Sequence, residues 1–373
     1  MPTISARKSD LSGALTRLSR VVEKRNTIPI LSNFLLTVDQ GKLTVTATDL
    51  DLEARTTIDC SGDLTTQGGF TVPAGPLSDI VRKLPDGDIS LSWDGDKGRA
   101  TVKAGRSRFE LMTLPAEDFP EFGASEFQHS FTAQADALAT IFDGTSFAMS
   151  SEETRYYLNG VYLHTIDKGD GVKLRGVATD GHRLSSRDVP APDGASGMPG
   201  IIVPRKCVGE IVKLAKDVKE IAVDISPAKI RLTFGTTTLT SKLVDGSFPD
   251  YQRVIPASNK LRAVVDNEAL AAAADRVSLV SSEKGRAVKL SFGETLRIEA
   301  TDPERGSAAD EVDLEEATAS PVEIGFNARY LADTLANLPK GGVSIALSDG
   351  SSPTLFQPAD DADSLLVLMP MRV

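Results

Sequence analysis

The sequence predicts an α+β fold made of three copies of one unit, each with two helices packed on antiparallel sheets. The tripeptide Ala-Thr-Asp occurs three times, starting at Ala47, Ala178 and Ala300. Successive copies are therefore 131 and 122 residues apart. An extended stretch that precedes a helical pattern repeats with the same two spacings, at Val72, Val203 and Gly325. Two independent markers with the same spacings indicate an internal repeat, and helices mixed with strand-like runs in each copy indicate α+β domains.

Apolar residues at helical spacing predict two helices in every copy. In the first copy the stripe of the first helix consists of Leu11, Leu15, Leu18 and Val22. Asp10 is the predicted N-cap of this helix. The corresponding residues of the other copies are Leu138, Ile141 and Phe142, and then Leu270, Ala273, Ala274 and Val277. The second helices show Leu77, Ile80, Val81 and Leu84, then Cys207, Ile211 and Leu214, then Leu331, Leu335 and Leu338.

Runs rich in β-branched and aromatic residues predict strands around these helices. Examples are residues 43–47, 89–93, 161–164 and 230–234. One copy has the size of an ordinary domain. Small and polar residues near 123–125 and 256–258 mark the joints between copies. We therefore predict domains at 1–125, 126–258 and 259–373.

The composition restricts the class of protein. No apolar run is long enough to cross a bilayer, and the N-terminus lacks the apolar segment of a secretory signal. The two cysteines, Cys60 and Cys207, fit no metal or redox spacing. These features predict a cytoplasmic protein without a metal or cofactor. The net charge of −11 excludes an overall basic footprint, so DNA binding would require positive charge gathered on one surface.

Basic residues recur on the predicted helices. Arg17, Arg20 and Lys24 are spaced by three and four residues, which places them on one helix face away from the apolar stripe, and Arg25 follows. The second helices add Arg82, Lys83, Arg205, Lys206, Lys213 and Lys216. Such residues are either plain solvated surface or a face that meets phosphate. Phosphate contacts of this kind would be independent of base sequence and sensitive to salt.

The sequence contains no recognisable catalytic motif. The histidines are His129, His164 and His182, and neither a zinc-protease, a nucleophile-elbow nor a phosphate-loop pattern is present. The repeated Asp49, Asp180 and Asp302 could be three equivalent carboxylates of a hydrolase. An Asp that follows a strand is more often a turn former that bonds backbone N–H groups, and we prefer that interpretation. The pair Tyr156-Tyr157 could pack in a core or stack on bases.

Two segments suggest a binding pocket. Only the second copy of the repeat continues as Gly-His-Arg-Leu, at 181–184. His182 and Arg183 could simply cap a strand. The C-terminal stretch 366–373 is apolar to its end, and a terminal segment of this kind is expected to pack rather than fray. Because methionine adapts to varied partners, the Met-Pro-Met sequence at 369–371 would suit a peptide pocket.

Several motifs together are specific for one protein family. They are Arg-Tyr-Tyr-Leu-Asn-Gly at 155–160, Ala-Thr-Asp-Gly-His-Arg-Leu at 178–184, Ser-Lys-Leu-Val-Asp-Gly at 241–246, Phe-Pro-Asp-Tyr at 248–251 and Met-Pro-Met-Arg at 369–372. Through them the chain resembles the bacterial β sliding clamps over essentially its whole length. These proteins are the processivity subunits of the replicative DNA polymerase.

The resemblance implies the DNA clamp fold, in which three clamp domains form a subunit and two subunits join head to tail in a ring. Helices line the hole and sheets form the outside. Duplex DNA passes through the hole, and the protein catalyses nothing. The replicative polymerase, the clamp loader and repair proteins would dock through short linear motifs, with no membrane partner. A hydrolase using the repeated Asp residues and an interaction module without a DNA role are the alternatives.

The resemblance also implies three sets of site residues. The DNA-contacting set consists of Arg25, Tyr156, Tyr157 and Lys206, to which the basic helix face adds Arg17, Arg20 and Lys24. The pocket would be lined by Leu158, Thr179, Gly181, His182, Arg183, Leu184, Pro249, Arg253, Val254, Asn327, Tyr330, Val367, Met369, Pro370, Met371 and Arg372. Its apolar members would bury a Leu or Phe of the partner, and its arginines would pack their stems at the rim. The seam between subunits would include Arg106, Arg108, Phe109, Leu111, Leu279, Val280 and Glu304.

Overall fold

The computed structural model describes residues 2–23, 27–62, 68–123, 125–169, 171–281 and 287–372. The first repeat contains β1 (Thr3–Arg7), α1 (Lys8–Leu18), β2 (Asn33–Asp39), β3 (Lys42–Thr48), β4 (Leu52–Asp59), β5 (Ser61–Gly62), β6 (Gly68–Pro73), α2 (Ala74–Lys83), β7 (Asp88–Asp94), β8 (Arg99–Ala104) and β9 (Ser107–Met112). The second contains β10 (His129–Gln134), α3 (Ala135–Ser146), β11 (Gly160–Asp167), β12 (Val172–Thr179), β13 (Arg183–Pro190), β14 (Ile201–Pro204), α4 (Arg205–Leu214), β15 (Glu220–Ile225), β16 (Lys229–Phe234) and β17 (Thr237–Lys242). The third contains β18 (Leu261–Asp266), α5 (Asn267–Ser278), β19 (Ala287–Phe292), β20 (Thr295–Asp302), β21 (Gly306–Glu316), β22 (Val322–Asn327), α6 (Ala328–Ala336), β23 (Gly342–Leu347), β24 (Thr354–Pro358) and β25 (Ser364–Leu368).

The three repeats present these elements in the same order, apart from the added two-residue strand β5. Their strands also pair in the same order. The first sheets run β6-β2-β3-β4, β14-β11-β12-β13 and β22-β19-β20-β21. The second sheets run β1-β7-β8-β9, β10-β15-β16-β17 and β18-β23-β24-β25. The predicted α+β fold with three repeated domains is therefore confirmed, and its strand pairs are antiparallel.

Sheets of neighbouring repeats join edge to edge. β17 pairs with β4, with Ser241 opposite Leu52, and forms an eight-stranded sheet. β25 pairs with β13, with Leu368 opposite Arg183, and forms part of a twelve-stranded sheet. Within the third repeat, β18 also pairs with β21. Backbone hydrogen bonds therefore continue across the joints between repeats.

The chain divides into two compact units. One consists of residues 1–138, 192–195 and 209–243, and it holds the five-stranded and eight-stranded sheets. The other consists of residues 139–191, 196–208 and 244–373, and it holds the twelve-stranded sheet. The predicted limits of the three domains, at 125 and 258, stay a prediction.

Helix α1 follows its predicted apolar stripe only in part. Leu11, Leu15 and Leu18 are buried, as their spacing predicts. The helix ends at Leu18, and the N–H of Val21 then donates to the Leu18 carbonyl at 3.0 Å. This tighter turn buries Val21 instead of the predicted Val22, which is half-buried.

The N-cap prediction for α1 is wrong. Arg7 holds the N-cap position without a side-chain hydrogen bond, and Asp10 lies inside the first turn. An acidic side chain there still interacts favourably with the helix dipole. In contrast, Asp266 caps α5 by accepting from the Ala269 N–H at 2.8 Å. The apolar residues predicted for α5 and α6 lie together in the core of the third repeat: Leu270, Ala273, Ala274, Val277, Leu331, Leu335 and Leu338.

Two hairpins have matching geometry, which fixes equivalent residues in different repeats. β8 and β9 are joined by a two-residue turn between Ala104 and Ser107, and β16 and β17 by one between Phe234 and Thr237. The first turn residue is a glycine with φ of 55° in one case and 59° in the other. Glycine adopts such a positive φ without steric cost. Ser107 in β9 is therefore equivalent to Thr237 in β17.

Candidate functional site

The repeated Asp49, Asp180 and Asp302 build the same turn. In each, one carboxylate oxygen accepts the N–H groups two and three residues later, at distances between 2.7 and 3.0 Å. The prediction that these residues are turn formers is confirmed. This geometry gives each carboxylate a role in the structure, and that role needs no catalytic function.

The second repeat has Gly181 at a left-handed position of this turn, with φ of 88°. The equivalent residue of the first repeat, Leu50, takes φ of 79° in spite of its side chain. In the second repeat, the Thr179 hydroxyl donates to the Arg183 carbonyl at 2.7 Å and accepts from the Gly181 N–H at 3.1 Å. The turn is thus closed on both sides, and it presents His182 at the surface.

The C-terminal segment lies beside this turn. Beyond β25, the Met369 N–H donates to the His182 carbonyl at 2.9 Å. The Met371 N–H then donates to the Gly325 carbonyl at 2.8 Å. The predicted packing of the apolar tail is confirmed as far as Leu368, whereas Met369 and Met371 are held by their backbone and have exposed side chains. Val373 lies outside the described residues.

Arg183 connects the turn to its surroundings. Its side chain is only 10% exposed, and it pairs with Asp180 at 3.2 Å and with Asp333 at 2.6 Å. Nη2 donates to the Phe147 carbonyl at 2.9 Å, and the guanidinium lies 4.7 Å from the centre of the Tyr330 ring. The whole guanidinium is therefore engaged, whereas the sequence suggested only a stem packed at a rim. Neither Phe147 nor Asp333 was predicted, because no local signal links them to residue 183.

The apolar pocket candidates divide into a buried and an accessible group. Leu184 lies opposite Val367 in the β13–β25 pair, and both pack with Val177 and Tyr251 in one buried cluster. Leu158 is also buried. The accessible group consists of Val254, Met369 and Met371, which are 46, 39 and 36% exposed. The first group can form a floor, and only the second can meet a partner without rearrangement.

The polar candidates surround these residues. His182 stacks on Tyr330 with ring centres 5.6 Å apart. Asn327 caps α6, because its side-chain oxygen accepts from the N–H groups of Arg329 and Tyr330 at 3.0 and 3.3 Å. The remaining candidates Pro249, Arg253 and Arg372 are exposed, Pro370 is half-buried, and Arg253 pairs with Asp250 at 2.8 Å. The structure thus brings the candidates of the turn, the tail and α6 into contact.

A buried polar network that sequence analysis missed lies against the floor. Arg175 and Asp188 form a two-bond ion pair at 2.5 and 2.6 Å. The Tyr251 hydroxyl lies 3.3 Å from Arg175 Nη1 and 3.0 Å from His164 Nε2. Burial works against the charge of Arg175, but its hydrogen bonds to Asp188 outweigh this effect and raise its pKa above the ordinary value. The sequence did offer one signal for this network, namely opposite charges in two neighbouring buried strands.

The tyrosine pair lies on a short 3₁₀ helix, Glu153–Leu158. Tyr156 is 54% exposed, and its ring meets that of Tyr157 edge-on at 5.7 Å. Arg205 supports the preceding chain, because Nη2 donates to the carbonyls of Met149 and Ser150 at 2.9 and 2.7 Å. Burial lowers the pKa of this arginine. Lys206, the next residue of α4, is half-buried.

The predicted basic face of α1 is only partly helical. Arg17 is in the last turn of the helix and lies 3.8 Å from Asp217. Arg20 follows the helix end and is exposed, so the two residues do not share a helix face as predicted. Lys24 and Arg25 lie outside the described residues.

The predicted seam residues occupy a strand edge and a helix end. Phe109 and Leu111 belong to β9, the last strand of the five-stranded sheet, and Phe109 is 39% exposed. Arg106 precedes the strand, and Arg108 bonds Glu110 at 2.7 Å. In the other unit, Leu279 follows α5 and is 76% exposed, Val280 is half-buried, and Glu304 is exposed in the turn before β21.

Among the described residues, no helix is long and apolar enough to span a membrane. Within the same residues, His, Cys, Asp and Glu side chains form no group of three or more that could hold a metal ion.

Comparison with known proteins gives consistent matches along the chain. Residues 3–123, 132–250 and 252–372 match the family models described as the N-terminal, central and C-terminal domains of the DNA polymerase III beta subunit. The beta sliding clamp of Caulobacter vibrioides is 46% identical over 99% of this chain and 100% of its own length. That of Pseudomonas aeruginosa is 40% identical over 96% of each chain.

Solved structures agree with the sequence matches. A sliding clamp of Bartonella birtlesii bound to griselimycin superposes with a TM-score of 0.95 and is 44% identical, covering 100% of both chains. The sliding clamp of Caulobacter crescentus gives a TM-score of 0.94 with 43% identity, again over 100% of both chains. The chain therefore belongs to the DNA polymerase III beta subunit family, whose members are the bacterial beta sliding clamps.

Proposed function

We propose that this chain is a DNA sliding clamp, a non-catalytic processivity factor that encircles duplex DNA and tethers the replicative polymerase. The observation that carries the proposal is the 46% identity to a beta sliding clamp over 99% of the chain. The proposal includes domains at 1–125, 126–258 and 259–373, a cytoplasmic location and a head-to-tail homodimer. The clamp loader and repair proteins would share one docking pocket with the polymerase.

The pocket is proposed at the turn, the C-terminal tail and the segment before α6. Its floor would be Leu184 and Val367, which are buried side by side, and its accessible apolar wall would include Met369 and Met371. A relative from Bartonella birtlesii binds griselimycin, and we propose that the pocket of this chain takes the same compound. A partner peptide would place a Leu or Phe against the methionines, whose flexible side chains adapt to different shapes.

The proposed ring seam follows from the internal repeat. Where repeats meet inside the chain, Leu52 lies opposite Ser241, and Arg183 lies opposite Leu368. Leu52 and Arg183 each come three residues after the turn-forming Asp, and in the third repeat Arg305 has this place. The matched hairpins make Leu111 in β9 equivalent to Ser241. A third joint of the same kind would therefore pair Leu111 of one subunit with Arg305 of another.

This register would account for the residues on both strand edges. It would put Phe109 opposite Ser307 and Arg106 opposite Asp310, so that an exposed aromatic ring would meet a small residue and opposite charges would meet. Among the described strands, none pairs with the outer edge of β9 or with the edge of β21 near Ser307. Unpaired strand edges are templates for pairing with another chain. In a head-to-tail dimer, two such joints would cover the β9 and β21 edges of both subunits and close a ring.

The proposed DNA contacts are sequence-independent. Tyr156, with its exposed ring, and the basic residues Arg17, Arg20 and Lys206 would meet the backbone, together with Tyr157, Lys24 and Arg25. The net charge of −11 speaks against tight binding by the surface as a whole. Retention on DNA would then depend on enclosure, and the few cationic contacts would weaken with salt.

The test is retention on closed circular DNA compared with the same DNA after linearisation. The protein is loaded with a bacterial clamp loader and ATP, and the complex is separated by gel filtration. We expect the protein to stay on the circle at salt that abolishes ordinary electrostatic binding and to leave the linear form through its ends. Equal retention on both forms, or on neither, would contradict encirclement.

The two alternatives have less support. In a hydrolase using Asp49, Asp180 and Asp302, the carboxylates would need to face a substrate, whereas one oxygen of each already accepts two backbone N–H groups. An interaction module without a DNA role would use the same pocket but would not distinguish circular from linear DNA. The retention experiment therefore separates this alternative from the clamp.

A further inference from the structure

The segment that carries Pro249, Arg253 and Val254 is fastened by one buried tyrosine. Tyr251 begins the short 3₁₀ helix Tyr251–Val254 and is 5% exposed. Its ring packs with Val177, Leu184 and Val367, the residues of the pocket floor. The positions of the exposed residues on either side of Tyr251 therefore depend on the position of Tyr251.

The Tyr251 hydroxyl is held from two strands. It lies 3.0 Å from His164 Nε2 on β11 and 3.3 Å from Arg175 Nη1 on β12. The Thr165 carbonyl lies 3.1 Å from His164 Nδ1. Because a carbonyl can only accept, Nδ1 carries the proton of the neutral ring, and Nε2 is left as an acceptor. The hydroxyl therefore donates to Nε2 while its oxygen accepts from Arg175.

Arg175 cannot turn to serve another partner. Its guanidinium makes two hydrogen bonds to Asp188, at 2.5 and 2.6 Å, and Lys168 approaches the same carboxylate at 2.6 Å. Bidentate pairs of this kind fix the plane of the guanidinium. The direction of the bond to Tyr251 is therefore set before any partner arrives.

We propose that Tyr251 is a positioning residue of the docking pocket, and that neutral His164 holds it in place, so that docking weakens in mild acid. This inference rests on the proposed pocket. Neither residue needs to touch the partner. They act by keeping the segment from Pro249 to Val254 against the floor.

The groups around His164 give the sign of the pH effect. Its ring stacks on Tyr162 with centres 4.7 Å apart, and Tyr251, Arg175 and Asp188 are its other polar neighbours. Burial lowers the pKa of His164 below 6.5 and the charge of Arg175 adds to this, while the Thr165 carbonyl and Asp188 oppose it. The neutral ring is thus favoured in the folded protein. The stabilisation that the neutral His164 ring gives to the folded arrangement is therefore fully present above pH 6.5. It is lost as the pH falls through the lowered pKa of His164.

Protonation would break the arrangement for a geometric reason. Nε2 would then be a donor facing an oxygen that already accepts from Arg175. The Tyr251 proton would need a new acceptor in a buried place, which is costly if none is found. The segment would be released from the floor, and the docking wall would lose its shape.

The test measures griselimycin binding by calorimetry between pH 7.5 and 5.5. Tyr251→Phe keeps the ring and removes only the hydroxyl, and we expect it to weaken binding about 3- to 10-fold at pH 7.5, the effect of one hydrogen bond. Wild-type protein should lose affinity as pH falls, and Tyr251→Phe should show a flatter profile. His164→Leu should behave as Tyr251→Phe does.

Two further variants separate positioning from general stability. His164→Gln keeps an acceptor that does not titrate, so it should bind more tightly than His164→Leu and show little pH dependence. His129→Gln removes a histidine from β10, a strand that contributes no residue to the network, and should keep the wild-type slope. Circular dichroism at both pH values checks that each variant is folded.

The outcomes are distinguishable. If wild-type protein fails to bind griselimycin at every pH, the proposed pocket is wrong and this inference falls with it. If wild-type protein binds while Tyr251→Phe has the same affinity and the same pH slope, the pocket stands and the positioning role is overturned. If the griselimycin affinity of His164→Gln depends on pH as steeply as that of the wild-type protein, the role of His164 is overturned.

Discussion

Single polar side chains decide the local geometry of the turn at the proposed pocket. Asp180 accepts two backbone N–H groups and also pairs with Arg183, which in turn reaches Asp333, a backbone carbonyl and the Tyr330 ring. A carboxylate can do this because its two oxygens offer several acceptor positions. The turn, the arginine and α6 are therefore coupled through one residue.

Replacing Asp180 tests this role. Asp180→Ala leaves two backbone N–H groups without their acceptor, and we expect the free energy of unfolding to fall by about 1–3 kcal/mol. Asp180→Asn keeps one oxygen for the same N–H groups and should lose less. The measurement is the urea unfolding midpoint at neutral pH. An alanine variant as stable as the wild type would contradict the turn-forming role.

Sequence patterns predicted those features of the structure that depend on residues close together in the chain. The turn-forming Asp residues and the buried faces of α5 and α6 could be predicted because hydrogen-bonding capacity and apolar spacing act within a few residues. The end of α1 could not, because the choice between burying Val21 or Val22 depends on what the chain packs against. The network of Tyr251, His164, Arg175 and Asp188 joins residues far apart in sequence, and no local pattern specifies such pairing.

At the scale of elements, strand β25 and the tail that follows have separate roles. β25 pairs with β13 and β24 and ends at Leu368. The tail adds two backbone hydrogen bonds, to the carbonyls of His182 and Gly325. The fold therefore depends on the strand, and the accessible wall of the proposed pocket would depend on the tail.

Deleting Met369 to Val373 should separate these roles. Every pair of β25 remains, so the far-ultraviolet spectrum should be unchanged and the protein should still unfold cooperatively. Griselimycin affinity should fall by at least about 10-fold, because the exposed methionines at 369 and 371 provide much of the apolar contact area. Arg372→Ala is the matched control for loss of the terminal charge alone. Unchanged affinity after the deletion would remove the tail from the pocket.

For the whole molecule, the internal repeat limits how copies can associate. The two joints between repeats inside the chain, β17 with β4 and β25 with β13, share one register. Among the described strands, the corresponding edges of β9 and of β21 near Ser307 are unpaired, so the same register could form there between two copies. The sequence could predict the repeat because its markers are local. It could not predict which strand edges join, since strand pairing over long sequence distances is set by the fold.

A charge at the seam should prevent association. Leu279 is 76% exposed in the single chain, so Leu279→Glu should leave the subunit stable. In a dimer it would bury an unpaired carboxylate, which is costly, and we expect monomers of 39.6 kDa by light scattering. Val172→Glu, at a residue 40% exposed elsewhere on the surface, is the matched control and should stay dimeric. A dimeric Leu279→Glu protein would contradict the seam.

The pairing of β25 with β13 has a consequence for the order of folding. Arg183 lies opposite Leu368 although the two residues are far apart in sequence. Until this pairing forms, Leu184 and Val367 do not meet, and the proposed pocket has no floor. Because closing a long loop costs conformational entropy before its contacts form, we expect this floor to be completed late in folding.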